Sequence, residues 1–287
     1  MRKLFLLTFL TLAVATYGQK PPLDHSVYDS WKSVSQTLIS DNGEWSAFSI
    51  NPQQGDGWLY FYNISSGRKD SVARGSSPVF SYDCKYVAYH ILPSYDQIRQ
   101  GKKKKLKEDQ MPKQSLEIRK LPGNETISIP GVKSFSMLKE KSYWMAYLLE
   151  KTKTEKPPAD TSSSKIIEAK KEAGKPDPAG ADLVILNPLS KKEYRFSDVT
   201  EYVVSRDGNS ISFIQDFRDT TKTDNFKISV FNTGKEVASV IFEGKGSAKK
   251  ISTDKAGNFT SFIYSSDTSK VRVYSLYLSK SADNASV

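Results

Sequence analysis

Residues Val204–Phe213 read VSRDGNSISF, in which the last residue of an apolar stretch is followed by a polar turn and an alternating strand pattern. Ser and Asp side chains can hydrogen-bond the backbone of their own turn, and Gly accepts the left-handed conformation that a tight hairpin needs. The alternation after the turn is typical of a β-strand, in which successive side chains point to opposite faces of a sheet. The stretch therefore predicts a β-hairpin.

The same pattern occurs five times in the chain. The other copies are Leu38–Phe48, Val79–Tyr89, a looser copy at Phe135–Tyr147, and Ile251–Phe262. Each copy is followed by another strand pattern and another polar turn, so the repeated unit contains four short strands joined by hairpins. Four such strands make up a propeller blade. Asp207 and Asp254 are about 47 positions apart, which fits the roughly 40–50 residues of one blade.

These repeats predict an all-β, β-propeller-like fold with about five four-stranded blades. The predicted blades are residues 33–73, 78–130, 132–197, 199–242 and 247–287. The last blade is expected to be incomplete, because Ser281–Val287 has the composition of a turn that leads to an outer strand. An open sheet edge of that kind is one that natural proteins usually avoid. We therefore expect an incomplete, truncated propeller.

Two inserts, at about 94–113 and 151–180, lengthen the spacing between repeats without interrupting them. The first carries the basic run Lys102–Lys105 with Lys107, which we interpret as a solvated loop. A run of this kind can also contact nucleic acid or another anionic surface. The second insert is rich in Pro, Lys, Glu and Ser, a composition that predicts disorder, and a short helix around Lys165–Lys171 stays open.

The N-terminus has the pattern of a secretory signal. Arg2 and Lys3 precede an apolar run, Leu4–Ala15, that is too short to span a bilayer. Small residues follow, and cleavage after Ala15 or after Gly18 fits the pattern. We predict a signal peptide over residues 1–18, a lead segment over 19–32 and a periplasmic or secreted protein. No cysteine lies near the cleavage point to carry a lipid anchor.

The composition suits a β-rich protein held together by its core. Hydrophobic residues make up 38% of the chain and aromatic residues 11%, with 15 Tyr and 14 Phe. The single cysteine, Cys84, excludes an intramolecular disulfide, and its aromatic-rich surroundings predict a small buried hydrophobe instead of a reactive thiol. The net charge of +10 falls to +8 when Arg2 and Lys3 leave with the signal.

The Ser-x-Asp-Gly turn, the strand ending in a small and an aromatic residue, and the Leu59–Asn63 hairpin strand resemble a known family. They are similar to the blades of the N-terminal propeller in secreted bacterial serine peptidases of the prolyl oligopeptidase family. The resemblance implies a propeller that caps a C-terminal α/β-hydrolase domain, in which a Ser-Asp-His triad cleaves peptides. Similar blades also occur in periplasmic proteins of the TolB type.

No catalytic residue of that family can be carried over to this chain. The family nucleophile lies in a Gly-x-Ser-x-Gly elbow, and none of the 16 glycines begins such a motif. The two histidines, His25 in the lead and His90 at a strand end, do not follow a nucleophile in the family order, and we interpret His90 as packed or solvated. Asp41-Asn42-Gly43 predicts a hairpin turn, because the bidentate Glu of a calcium loop is absent. We predict no catalytic, cofactor-binding or metal site and no cofactor.

Three functions remain open. The first is the non-catalytic propeller of a secreted serine peptidase, which gates or positions peptide substrate for a hydrolase domain that this chain lacks. The second is a stand-alone periplasmic scaffold for a protein or peptide, whose ring is closed by Val27–Trp31 as the outer strand of the fifth blade. The third is binding of an anionic glycan or nucleic acid by Lys102–Lys107. We expect no nucleic-acid partner and no membrane insertion after signal cleavage.

Overall fold

The computed structural model describes residues 24–123, 125–140, 142–151, 180–218, 224–267 and 271–281. The predicted signal, residues 152–179 of the second insert with the helix considered there, and residues 282–287 lie outside these ranges. The described residues form antiparallel sheets that follow one another along the chain. Within each sheet every strand pairs with the next strand in sequence, as the hairpin repeats predict.

Two four-stranded sheets form the first two blades. Blade 1 contains four strands: β1 (Lys32–Ile39), β2 (Trp45–Pro52), β3 (Trp58–Asn63) and β4 (Lys69–Ala73). Blade 2 contains β5 (Gly75–Phe80), β6 (Tyr86–Ile91), β7 (Ser115–Lys120) and β8 (Thr126–Pro130). The first insert of the sequence lies between β6 and β7.

Blades 3 and 4 are joined into one seven-stranded sheet. Its strands are β9 (Val132–Met137), β10 (Met145–Leu149), β11 (Ala181–Asn187), β12 (Lys192–Val204), β13 (Ser210–Arg218), β14 (Asp224–Asn232) and β15 (Val237–Lys245). The first part of β12 pairs with β11 and its second part pairs with β13. The change of partner occurs at Val199, which pairs with Ala181 of β11 and Gln215 of β13 and follows Asp198, where φ is +60°. β12 is therefore the outer strand of blade 3 and the inner strand of blade 4.

Blade 5 has three strands in the described residues: β16 (Ser247–Thr253), β17 (Phe259–Ser265) and β18 (Ser275–Lys280). The described residues therefore form an all-β, propeller-like fold with five blades, as the repeats predict. The last blade shows β18 as its edge strand.

The repeated turn is built in the same way in four blades. Ser40 accepts a hydrogen bond from the backbone N–H of Trp45 through its hydroxyl, and its own N–H donates to the carbonyl of Trp45. Equivalent pairs occur at Ser81 with Tyr86, Ser205 with Ser210 and Asp254 with Phe259. One short side chain thus closes each hairpin, which is why Ser or Asp recurs at this position.

The fourth residue of these turns has a positive φ. Gly occupies the position in three blades, at Gly43, Gly208 and Gly257, with φ between 70° and 75°. In blade 2 the same place holds Cys84, with φ of 55°. Cys84 is buried, as predicted, but it lies in the turn and not in a strand, because the repeat places it where the other blades have glycine.

Neighbouring blades pack through four apolar clusters. Blades 1 and 2 share Trp45, Phe61 and Tyr89, and blades 2 and 3 share Ala88, Leu116 and Tyr147. Blades 3 and 4 are joined by Trp144, Phe213 and Phe231, and blades 4 and 5 by Phe226 and Phe262. Within the described ranges no such cluster joins blade 5 to blade 1, so these blades form an arc.

The lead segment differs from one of the predictions. His25–Ser30 forms a 3₁₀ helix, followed directly by β1. The N–H groups of Gln53 and Gln54 donate to the carbonyls of Trp31 and Asp29, which places the lead against the loop after β2 of blade 1. Val27–Trp31 therefore is not an outer strand of blade 5, and the prediction that it closes the ring is wrong.

Candidate functional site

Antiparallel order places the loops after the second strand of every blade at the end of the sheet where the chain also passes to the next blade. Backbone hydrogen bonds tie the two kinds of connection together: Leu92 donates to Arg74, Glu150 to Gly131, and Gly246 to Asp224. Both inserts of the sequence follow the second strand of their blade. The first insert and the described residues that flank the second, Lys151 and Gly180, therefore lie on one face of the blades, which we call the insert face.

A group of charged and polar side chains lies at the insert end of blades 4 and 5. It consists of Thr200, Glu201, Asp216 and Asp224 from blade 4 with Lys249, Arg272 and Tyr274 from blade 5. Arg272 contacts Asp224 at 3.1 Å, and the Glu201 carboxylate accepts the N–H of Ile251 at 3.2 Å. The ammonium of Lys249 lies 5.4 Å from the ring centre of Tyr274. The contacts of Arg272 with Asp224 and of Ile251 with Glu201 cross between the two blades and join them beside their shared apolar cluster.

Asp216 is the most perturbed carboxyl of this group. Burial raises its pKa to about 6, the nearby charges of Asp224 and Glu201 act in the same direction, and a hydrogen bond with Thr200 and the charge of Lys249 oppose the change. One of its oxygens is buried and accepts no hydrogen bond in the described part of the chain. Burying a carboxylate without a full set of partners disfavours its charged form. The Asp216 carboxyl, with a pKa of about 6, therefore changes charge near pH 6.

The chemistry of this group is limited by its donors. A hydrolytic site needs a nucleophile within reach of a base. The side chains around Asp216 are carboxylates, two cationic side chains, a threonine and a tyrosine. Among the described residues no group of three or more His, Cys, Asp or Glu could hold a metal ion. We interpret the group as a charged seam between blades 4 and 5.

The two histidines lie in different elements. His25 stacks on Tyr28 in the 3₁₀ helix of the lead, with ring centres 5.9 Å apart. His90 is buried in β6, where its ring meets the ring of Phe135 edge-on at 4.9 Å. Burial lowers the pKa of His90, and a hydrogen bond to the backbone of Ser115 opposes that change. His90 thus packs between blades 2 and 3.

Asp41-Asn42-Gly43 forms the hairpin turn between β1 and β2, as predicted. The side-chain oxygen of Asn42 accepts hydrogen bonds from the hydroxyl of Ser40 and the N–H of Glu44. Gly43 has a φ of 70°. The amide oxygen of Asn42 is engaged in the turn itself.

The basic run lies on an ordered element of the insert face. Helix α1 (Tyr95–Lys103) and a 3₁₀ turn at Glu108–Gln110 fill the first insert, so the interpretation of this segment as a loop is wrong. Ser94 caps the helix and forms a capping box with Gln97, whose spacing could have been noticed in the sequence. All of Lys102–Lys105 and Lys107 are exposed.

The two outermost sheet faces of the arc are apolar. The face of blade 1 that points away from blade 2 carries Val34, Phe48, Trp58 and Tyr60, and Val34 is 64% exposed. The face of blade 5 that points away from blade 4 carries Leu276 and Leu278, which are 76% and 69% exposed. In the described part of the chain no other blade covers these faces. The strand patterns of the sequence predict which residues share a sheet face, but they do not predict whether another sheet covers that face.

No helix in the described ranges is both long enough and apolar enough to cross a membrane. No family model and no curated protein matches this chain.

Several solved structures are similar to the chain at low identity. An acylaminoacyl peptidase from Pyrococcus horikoshii is 11% identical with a TM-score of 0.47, and the match covers 91% of this chain and 41% of that one. The β-propeller domain of the trilobed protease from Pyrococcus furiosus, described as having an open velcro topology, is 10% identical with a TM-score of 0.47, covering 88% and 69%. TolB from Acinetobacter baumannii is 9% identical with a TM-score of 0.36, covering 88% and 55%. The chain thus spans less than half the length of the acylaminoacyl peptidase, and the propeller fold rests on the sheets described above.

Proposed function

We propose that this chain is the propeller part of a secreted serine peptidase of the prolyl oligopeptidase family. In this proposal the blades gate or position peptide substrate for an α/β-hydrolase domain outside the chain. The peptidase family comes from the resemblance of the blade motifs, and export comes from the signal pattern over residues 1–18. The hydrolase domain and the peptide substrate are the partners.

The observation that carries the proposal is the pair of outer sheet faces, on blades 1 and 5, that no other blade covers among the described residues. Between blades 1 and 2, aromatic and aliphatic side chains of facing sheets bury one another completely, as Phe61 and Tyr89 do. The outer faces of blades 1 and 5 carry side chains of the same kind, among them Phe48, Tyr60, Leu276 and Leu278. Exposed apolar faces of this type usually mark a surface that another protein element covers. They favour a propeller with further sheets over a finished five-blade ring.

Sequencing of the reading frame beyond codon 287 in genomic DNA tests the peptidase part. We expect further blade repeats, then a Gly-x-Ser-x-Gly motif and a later histidine within several hundred codons. A stop codon directly after Val287 in every isolate would overturn the proposal and leave the stand-alone scaffold.

The purified chain provides a second test. We expect no hydrolysis of proline-containing or N-acylated peptides and no labelling by a fluorophosphonate, because the chain carries no nucleophile elbow. Labelling that is lost on substitution of a single serine of this chain would contradict the proposal.

Export can be tested by determining the N-terminus of the mature protein. N-terminal sequencing of the protein recovered from the periplasm or medium should begin at Thr16 or Gln19. Recovery of the chain from the cytoplasm with Met1 or Arg2 at its start would remove the secreted part of the proposal.

A further inference from the structure

The basic run of the first insert is presented on a rigid support. The backbone N–H of Tyr95 donates to the carboxylate of Asp56 at 2.7 Å, which ties the start of α1 to blade 1. After the helix, the ammonium of Lys113 donates to the carbonyl of Glu108 at 2.8 Å and pairs with Glu150 of blade 3 at 3.5 Å. The insert is thus attached to the blades on both sides of blade 2.

The end of α1 is packed closely enough to fix the lysines that follow it. Gly101 is buried, and a side chain at this position would meet the sulfur of Met111 at 2.7 Å. The N–H groups of Lys104, Lys105 and Leu106 donate to the carbonyls of Gln100, Lys102 and Gly101. The backbone that carries the basic run is therefore hydrogen-bonded throughout its turn.

We call Lys102–Lys105 with Lys107 the basic platform. Its five side chains are exposed, and within the described residues none of their ammonium groups forms an ion pair or a hydrogen bond. Glu108 and Asp109 follow directly and leave an excess of positive charge on the segment. Like charges held side by side repel one another, so an ordered platform of this kind is stabilised by an anionic partner.

An apolar side chain lies within the basic platform. Leu106 stands between Lys105 and Lys107 and is 37% exposed. No arginine and no aromatic residue occurs from Lys102 to Lys107, so the platform lacks the bidentate and stacking groups that recognise nucleic acid. Lysines that flank an exposed apolar side chain are typical of surfaces that lie on an anionic bilayer, where the ammonium groups meet the headgroups and the apolar group enters the interface.

We propose that the basic platform docks the insert face onto the surface of a bilayer that contains anionic phospholipids. The contact is peripheral and electrostatic, and Leu106 adds the apolar part. This inference is independent of the peptidase proposal, since it rests only on residues of the first insert and their support.

Vesicle sedimentation with the full chain tests the proposal. Vesicles of phosphatidylcholine with 30% phosphatidylglycerol are compared with vesicles of phosphatidylcholine alone, which measure any binding through the apolar segment near the N-terminus. We expect partitioning that needs phosphatidylglycerol and is lost at 0.5 M salt, because salt screens exposed charges. Each lysine near an anionic surface contributes about fivefold, so Lys103→Gln, Lys104→Gln and Lys105→Gln together should lower partitioning about a hundredfold.

The matched control removes the same charge elsewhere. Lys85→Gln, Lys139→Gln and Lys191→Gln neutralise three exposed lysines in turns at the opposite end of blades 2 and 3 and should leave partitioning within about twofold. Equal losses in the two triple variants would overturn the proposal in favour of an effect of net charge. Leu106→Ser should lower partitioning severalfold without changing net charge, which provides a second readout.

A soluble polyanion separates the membrane from other anionic partners. Heparin or single-stranded DNA that binds the chain through the same three lysines, with no binding to phosphatidylglycerol vesicles, would overturn the proposal. Partitioning of the wild-type chain that is the same on both vesicle types would overturn it as well. Unchanged far-UV circular dichroism and melting temperature of both triple variants establish that folding is not the cause.

Discussion

Replacement of one turn glycine should measure how tightly blade 4 fits against blade 3. Gly208 lies in the repeated turn of blade 4 with a φ of 75°. A Cβ at this position would lie 2.3 Å from the carbonyl oxygen of Glu140 and 2.6 Å from Cβ of Ser142, both in the equivalent turn of blade 3. The first of these atoms is backbone, so the neighbouring blade must move to accommodate a methyl group.

Gly43 supplies the matched control. It occupies the same place in the turn of blade 1 with a φ of 70°, and a Cβ there has no atom within 4 Å. In both variants, Ala must adopt the left-handed conformation, which costs about 1–2 kcal/mol, while the loss of glycine freedom in the unfolded chain returns about 0.4–1 kcal/mol. Only Gly208→Ala adds overpacking, which costs about 1–3 kcal/mol.

We therefore expect Gly43→Ala to lower the free energy of unfolding by about 1 kcal/mol and Gly208→Ala by about 2–4 kcal/mol. Urea titrations followed by far-UV circular dichroism and tryptophan fluorescence measure both values, and buried Trp144 reports from blade 3 next to Ser142. Equal losses in the two variants would refute the claim that these turns are in tight contact across the blades.

Three other substitutions or probes test the core and the charged seam. Asp216→Asn should remove a pH dependence of stability, because burial raises the pKa of Asp216 in the folded chain to about 6. The wild type is therefore more stable below the pKa that Asp216 has in the unfolded chain. It loses about 1–2 kcal/mol of unfolding free energy, after allowance for partial exposure, as pH rises through 6. Urea midpoints at pH 5 and pH 7.5 should differ less in the variant than in the wild type, and an unchanged difference would contradict the assignment. The Cys84 thiol should react with a thiol reagent only after unfolding, because it is 5% exposed, and rapid labelling of the native chain would show that the turn is open. Phe213→Ala should cost about 3–5 kcal/mol, since Phe213 is fully buried between blades 3 and 4, whereas a loss below 1 kcal/mol would show that this cluster does not stabilise the fold.

The first insert shows how a local signal can be outweighed by composition. Ser94 and Gln97 have the spacing of a capping box. The helix that follows is short, however, and its many polar residues and lysines leave only a weak apolar pattern. The helix is ordered by Asp56 of blade 1, Met111 and the ion pair between Lys113 and Glu150. Asp56 and Glu150 are distant in sequence, so only the assembled blades bring them to the insert.

The lead segment was predicted wrongly for a related reason. Its apolar residues, such as Val27 and Trp31, suit a strand as well as a short helix. Hydrogen bonds from the backbone N–H groups of Gln53 and Gln54 hold the lead beside blade 1, where it forms a short helix. The tertiary structure decides which element a short apolar segment packs against.

The hairpins and the propeller-like repeat of their strands could be predicted from the amino-acid sequence, because the Ser or Asp turn and the two-residue alternation act over fewer than about a dozen neighbouring residues. Tertiary structure alone decided which groups meet across blades. The seam around Asp216 joins residues from 200 to 274, and the pKa of Asp216 depends on burial between two sheets. Exposure of Leu276 and Val34 likewise depends on which sheets pack together, since a strand pattern states which side chains share a face but not what covers that face.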